Sequence, residues 1–138
     1  LIDGDLFRKK ILNFKYDLKN REKIGILKAR LAKKYQKEGK IVIVSGIANK
    51  KKWRSDIKSN MSNFIEVYTK CPISVCKKRD KAKNYKKAQI GKISNFIGIN
   101  EKYEEGNSVD LKINTGQLTV SGSLIKIINY LKKNNYVF

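Results

Sequence analysis

The 138-residue chain contains no histidine, a single proline and only two cysteines. Without histidine there is no Ser-His or Cys-His catalytic pair, and the usual zinc ligand sets are excluded. Cys71 and Cys76 stand in a C-x4-C spacing with no other soft ligand, which makes a poor metal site. They read as buried or half-buried free thiols of a reducing compartment, and the expected location is cytoplasmic. One proline and no Gly/Ser-rich linker leave no sign of an internal boundary, so residues 1–138 read as one domain. No apolar run approaches the roughly 20 residues of a membrane span. No signal peptide is visible in the residues given.

Acidic residues are also scarce, 12 Asp+Glu against 32 Lys+Arg, for a net charge of +20. That balance suits a polyanionic partner, either nucleic acid or the phosphates of a nucleotide. It equally suits lysines on solvated faces that need no partner. The aromatic residues are not interleaved with the basic ones in an RNA-reading pattern, so a nucleic-acid reading has only the charge behind it.

The hydrophobic pattern is that of alternating strands and helices. Leu1-Ile2 reads as the end of a buried strand. Asn20 is a candidate cap for a helix running to about Glu38, with Ile24, Leu27, Leu31 and Tyr35 on one face and Gly39 as the stop. Ile41 to Val44 is apolar without alternation, as in a parallel strand covered on both faces. Residues 49–63 are basic and helical in part around Trp53-Arg54. A strand is expected at 64–68, a short helix at 73–80, a lysine-rich segment at 81–92 and a weaker strand at 109–113. A closing amphipathic helix is expected at 123–134, with Leu124, Ile127, Ile128 and Leu131 inward. The pattern predicts an open, mostly parallel α/β sheet with helices on both faces, whose ligands bind beyond the carboxyl ends of the strands.

Asp3 and Asp5 fall at such an end, in "LIDGDLFR". Two acids there are suited to holding a magnesium ion through water or to taking a proton from a hydroxyl. Gly4 between them permits a tight turn, and Arg8 supplies a bidentate clamp for phosphate or sulfate. Acid-Gly-acid also occurs in ordinary turns, where aspartate bonds its own backbone.

Further segments carry a resemblance. "LIDGDLFR" resembles D-G-D-N-x-R, and "NREKI" falls where D-R-x-x-N is found. "GKIVIVSGI" is similar to the strand before an F-I-S-P loop. "FIEVYTKCPISVCKKRD" resembles F-I-E-V-x-V-D-T-P-x-x-x-C-x-x-R-D, and "YKKAQIGKISNFIGINEKYE" resembles Y-K-K-A-x-x-G-x-I-x-N-F-T-G-I-D-x-x-Y-E. Together, from Leu1 to about Tyr103, they resemble the adenylylsulfate kinase family. The resemblance implies a P-loop-kinase-like fold that transfers the γ-phosphate of ATP, with Mg2+, to the 3′-hydroxyl of adenosine 5′-phosphosulfate (APS).

By the same resemblance Asp3 and Asp5 are the acids near the magnesium and the acceptor hydroxyl. Arg8 and Arg21 grip the phosphosulfate. Tyr16 packs on one face of the adenine, and Phe96, with Ile97 beside it, on the other. Arg79 lies on the ATP side. Lys86 and Lys87 belong to a lid at about 81–100. For Phe96 a place in the core is the alternative, and for Lys86 and Lys87 a solvated face. A homodimer is implied by the resemblance alone; no membrane and no nucleic acid is expected as partner.

The chain departs from the family pattern in several places. No G-x-x-x-x-G-K-S/T phosphate loop occurs in residues 1–138, although the family carries one about one βαβ unit, roughly 30 residues, before the D-G-D strand. With the missing Met and the abrupt strand at Leu1, this suggests an N-terminal piece not represented here, an apolar slot in the sheet and weak ATP binding by the chain as given. Leu6, Ile24, Gly46, Ala48 and Asn49 replace family residues on the acceptor side, and 81–84 replaces P-K-G-L. These departures suit a paralogue acting on another nucleotide-linked acceptor, such as cytidine diphosphoramidate in capsule or sugar modification. A non-catalytic, basic nucleic-acid-binding descendant is the remaining alternative.

Overall fold

The computed structural model describes residues 1–11, 16–106 and 109–136. In chain order the elements are β1 (Ile2–Asp3), α1 (Gly4–Lys9), α2 (Leu18–Lys37), β2 (Val44–Ser45) and α3 (Lys51–Ser59). There follow β3 (Val67–Lys70), α4 (Ile73–Arg79), α5 (Asn84–Gln89), β4 (Leu111–Asn114) and α6 (Val120–Lys133). The chain divides into two compact units, Leu1–Asn63 with Lys86–Glu105, and Phe64–Tyr85 with Gly106–Phe138.

Both strand pairs are parallel, as the non-alternating apolar runs predict. In the first unit β1 pairs β2, with Ile2 opposite Val44 and Asp3 opposite Ser45. In the second β3 pairs β4, from Val67 opposite Leu111 to Lys70 opposite Asn114. The single sheet expected from the sequence is therefore two two-stranded sheets. The described residues hold no further strand that pairs with both.

Several boundaries move, each for a local reason. Asp17, not Asn20, caps α2: its Oδ1 accepts from the Asn20 amide N–H at 2.9 Å, and the Asn20 side chain donates back to Oδ2 at 2.7 Å. The pair satisfies an otherwise orphaned amide of the first turn. Gly39 ends the helix as expected, at φ +75°. The buried stripe of α2 is Ile24, Lys28 and Ala32. Leu27, Leu31 and Tyr35 are half-buried beside it.

Only Val44–Ser45 of the expected 41–45 strand is paired, because β1 offers two residues as partner. Ile41 and Ile43 are exposed rather than covered on both faces, and Leu1 is exposed as well. The third and fourth strands begin two to three residues later than expected, since Glu66 N–H is taken by the Asp110 carboxylate at 2.7 Å just before the ladder starts. The ladder centres on Ile113, which is fully buried. α6 starts at Val120, capped by the Thr119 hydroxyl. Of its expected inward residues Leu124 and Ile128 are exposed; Ile127 and Leu131 are half-buried. Pairing of β4 with a four-residue strand gives the helix a narrow surface to cover.

No described helix is long and apolar enough to cross a membrane.

Candidate active site

At the end of β1 the charged side chains Asp3, Asp5, Arg8 and Lys28 come close enough to act on one another. Asp3 leaves the strand at φ −81°, ψ 131° and caps α1, its Oδ1 accepting from the amides of Asp5 (3.0 Å) and Leu6 (2.9 Å). Its Oδ2 accepts from Ser45 Oγ at 2.9 Å. These donors, the Leu6 amide first and the Ser45 hydroxyl next, hold the Asp3 carboxyl below its ordinary value. Gly4 is the first residue of α1 rather than the tight turn expected. Glycine is needed there for closeness: a Cβ would lie 3.0 Å from the Ser45 carbonyl oxygen and 3.3 Å from Lys28 Nζ.

Asp5, one residue further, turns outward. Its carboxylate is 83% exposed and receives Arg8 Nη1 at 2.7 Å, whereas the Arg8 side chain is only 11% exposed. Arg8 in turn lies over the Tyr16 ring, 5.3 Å from the centroid, and Arg21 lies 5.5 Å from the same centroid. One exposed ring thus organises both arginines that the sequence nominates. Arg21 is further fixed by two carbonyls, Nε donating to Tyr16 O at 2.9 Å and Nη2 to Asn95 O at 2.8 Å. Burial, and then repulsion from Arg8, pull the Arg21 guanidinium below its usual value.

The bond to Asn95 draws the Phe96 segment to the same place. Asn95 (φ +55°) and Gly98 (φ +93°) bracket a turn in which Phe96 O accepts from the amides of Ile99, Asn100 and Glu101. Phe96 and Ile97 are half-buried, so Phe96 is not a core residue. The structure therefore brings Asp3, Asp5, Arg8, Tyr16, Arg21 and the Phe96–Ile97 turn into one neighbourhood. Lys86 and Lys87 are exposed on α5. Arg79 belongs to the second unit, where Nη1 donates to Thr115 O at 3.0 Å and approaches Cys71 Sγ at 3.9 Å. Both cysteines are free and half-buried, as expected.

The family model for adenylylsulphate kinase matches residues 1–114. The chain belongs to the adenylylsulfate kinase family. The adenylyl-sulfate kinase of Halothermothrix orenii is 32% identical over 137 residues, covering 99% of this chain and 74% of its own length. That of Microcystis aeruginosa is 31% identical over 142 residues, with 99% and 76% covered. Among solved structures, the Mycobacterium tuberculosis APS kinase, in complex with AMPPNP and APS, superposes with a TM-score of 0.87 at 23% identity. It covers 95% of this chain and 78% of that one. The α/β fold is thus of the P-loop-kinase type.

Sequence reasoning on the adenylylsulfate kinase motifs missed three structural residues. Lys28 is 8% exposed and donates to Ser45 O at 3.1 Å. A lysine four residues from Ile24 on the apolar stripe of α2 was the available signal. Asn49 is fully buried, its O accepting from Glu104 N at 2.9 Å and its Nδ2 donating to Lys102 O at 3.3 Å, so this departure from F-I-S-P ties two loops together. Glu104, in the family's Y-E pair, accepts from Lys51 N at 2.9 Å and from Lys50 Nζ at 3.0 Å. It caps α3, whose own N-cap residue Lys50 makes no side-chain cap. Tyr103 lies under the buried Arg54 guanidinium at 4.9 Å. The Y-E pair is therefore structural.

Proposed function

We propose that the protein is an ATP-dependent kinase that phosphorylates the 3′-hydroxyl of APS. The observation that carries this reading is the set Asp3–Asp5–Arg8 at the carboxyl end of β1, joined through Tyr16 to Arg21 and the Phe96 turn. Phosphoryl transfer needs positioned cations for the anionic parts of both substrates and a carboxylate near the attacking hydroxyl. Arg8 and Arg21 hold the phosphosulfate, and the exposed Tyr16 ring and Phe96 take the two faces of the adenine, with Ile97 beside it. Asp5, in solvent, receives the hydroxyl proton.

No group of three or more metal-ligating side chains occurs among the described residues. The donors fit magnesium, which takes one or two carboxylates with waters and substrate phosphates. Asp5 would hold it, through water, with Asp3 behind, since the Asp3 oxygens already accept three bonds. Magnesium supplies charge neutralisation on the transferring phosphoryl group. Lys86 and Lys87, in the lid at 81–100, cover the polyphosphate, and Arg79 serves ATP. Because residues 1–138 hold no G-x-x-x-x-G-K-S/T run, the reading assigns these residues alone weak ATP affinity and little turnover. It places the protein in the cytoplasm, with a homodimer as its assembly.

A second reading, a paralogue for another nucleotide-linked acceptor such as cytidine diphosphoramidate, is favoured by Gly46. There the family pattern has the aromatic of F-I-S-P and this chain has the Lys28 ammonium in the space. Calorimetric titration of the chain with APS and with cytidine diphosphoramidate separates the two. Tighter binding of APS, lost in Arg21→Ala, supports the first; the reverse order overturns it.

A further inference from the structure

Lys28 is a cation on the buried stripe of α2, and the space for it is made by two glycines from elsewhere in the chain. A Cβ at Gly46 would collide with Nζ, and one at Gly4 would lie 3.3 Å from it. The ammonium thus occupies the volume in which a side chain at position 46 would begin. Gly46 is itself exposed and sits at φ +153°, a conformation that favours glycine. At position 46, therefore, no side chain stands between the charge and the surface.

The surroundings compensate it only in part: Asp3 and Asp5 attract the ammonium, but neither carboxylate bonds it. Nζ carries three protons, and its hydrogen bond is to one neutral acceptor, Ser45 O at 3.1 Å. The nearest carboxylate, Asp3, is engaged by two amides and the Ser45 hydroxyl, and Asp5 is paired with Arg8. Burial first, and then repulsion from Arg8, hold the Lys28 ammonium below its usual value, against the attraction of Asp3 and Asp5. A buried cation with one neutral partner is costly unless something negative completes it. Arg21, Arg8 and Lys28 form a row of positive groups running from the Phe96 turn to the end of β2.

We propose that Lys28 is an anion-binding residue of the acceptor site, reached across Gly46, and that it selects acceptors with two linked anionic groups. Arg8 and Arg21 take the group next to the nucleoside, and Lys28 takes the terminal one. The inference rests on the kinase reading for the word acceptor, but the anion site itself does not depend on which nucleoside is attached.

Inorganic pyrophosphate, which has two linked anionic groups and no nucleoside, is the probe. The chain is labelled with 13C-lysine and, in a second sample, uniformly with 15N; the Lys28 Cε signal is assigned by its absence in Lys28→Met, and pyrophosphate is titrated at constant ionic strength. The expected result is a saturable shift of the Lys28 signal, and affinity about tenfold or more weaker in Lys28→Met, as for loss of a charge-assisted bond. Methionine keeps the volume of the buried stem. Should that variant not fold, Lys28→Arg supplies the assignment and the wild-type titration decides. A Lys28 signal that stays still while the amides of Arg8 and Arg21 respond overturns the proposal and leaves Lys28 as a support for Ser45. If APS fails to bind but pyrophosphate moves Lys28, the anion site stands and the APS reading falls.

Discussion

Ser45 Oγ donates to Asp3 Oδ2 at 2.9 Å, fastening the acid that ends β1 to the residue opposite it in β2. The bond separates two aspartates that look alike in the sequence. Asp3 is part of the frame: it caps α1 and joins two strand ends. Asp5 makes its side-chain bond to Arg8 and is otherwise in solvent. A cap oxygen survives replacement by asparagine but not by alanine. Asp3→Ala is therefore expected to lower the denaturation midpoint, and Asp3→Asn to lower it by less than half as much. Urea denaturation of both variants checks it. Equal losses would mean that the charge, not the cap, is what the fold uses.

The same frame sets an acid limit. Asp3 and Glu104 are both held below their ordinary values, 3.8 and 4.5. The Leu6 amide is the main cause for Asp3, and the Lys51 amide followed by the Lys50 ammonium for Glu104. A lowered value means that the folded chain binds fewer protons than the unfolded one as pH falls through this range. The stabilisation is complete above the ordinary values and is lost as pH drops below them. Denaturation midpoints measured from pH 6 down to pH 3 are expected to fall most steeply below about pH 4.5. Glu104→Gln should flatten that slope; an unchanged slope would assign the acid sensitivity to other carboxylates.

Arg21 links the Tyr16 carbonyl to the Asn95 carbonyl and so positions the Phe96 turn; in the proposed function it also holds the acceptor's anion. Arg21→Ala is expected to weaken acceptor binding by about tenfold or more, the worth of a charge-assisted bond, and to leave ATP use nearly unchanged. Amide exchange at Ile99 to Glu101, whose N–H groups bond Phe96 O, should also quicken. Equal loss of acceptor and ATP binding with the fold intact would count against the assignment.

How far the sequence revealed this depended on whether a residue's partner is local. The α2 helix, the Gly39 stop and the parallel pairing follow from neighbours a few residues apart, and each is found. The α2 cap was displaced by three residues because Asp17 and Asn20 are both good cap residues, and only the geometry shows which oxygen faces the free amides. The roles of Lys28, Asn49 and Glu104 depend on contacts 17, 53 and 53 residues away. Spacing carries no trace of such contacts. Lysine on a helix reads as solvated, and here the missing side chains at Gly4 and Gly46 are what admit it. The Tyr16 ring has one guanidinium neighbour on α1 and another on α2, and such a through-space pairing leaves no mark in spacing.

The lid assigned to 81–100 contains the short helix α5, whose Ala88 is buried, between exposed lysines. Its flanks carry Lys83, Gly91, Asn95 and Gly98 at positive φ, and none of their large apolar side chains is fully buried. Such a segment opens at low cost. Amide exchange in 81–94 is expected to be fast in the free chain and to slow on addition of nucleotide. Uniform protection without ligand would remove the lid from the reading.

Asp5 is the sharpest test of the chemistry. Its ion pair with Arg8 is solvent-exposed on the Asp5 side, and such pairs contribute only about 0–1 kcal/mol. Nor does Asp5 cap α1, which Asp3 does. Asp5→Asn should therefore leave the melting temperature nearly unchanged. Asparagine keeps the shape and an acceptor oxygen for Arg8 but cannot take a proton or draw a cation. If the carboxylate receives the proton of the acceptor hydroxyl or holds magnesium, turnover in the transfer-competent protein falls by roughly 10²-fold or more. Acceptor affinity should stay within a few-fold, because Arg8 and Arg21 remain in place over Tyr16. Turnover within a few-fold of wild type would make Asp5 an anchor for Arg8 alone. The chemistry would then rest on Asp3, whose oxygens are already committed to the frame.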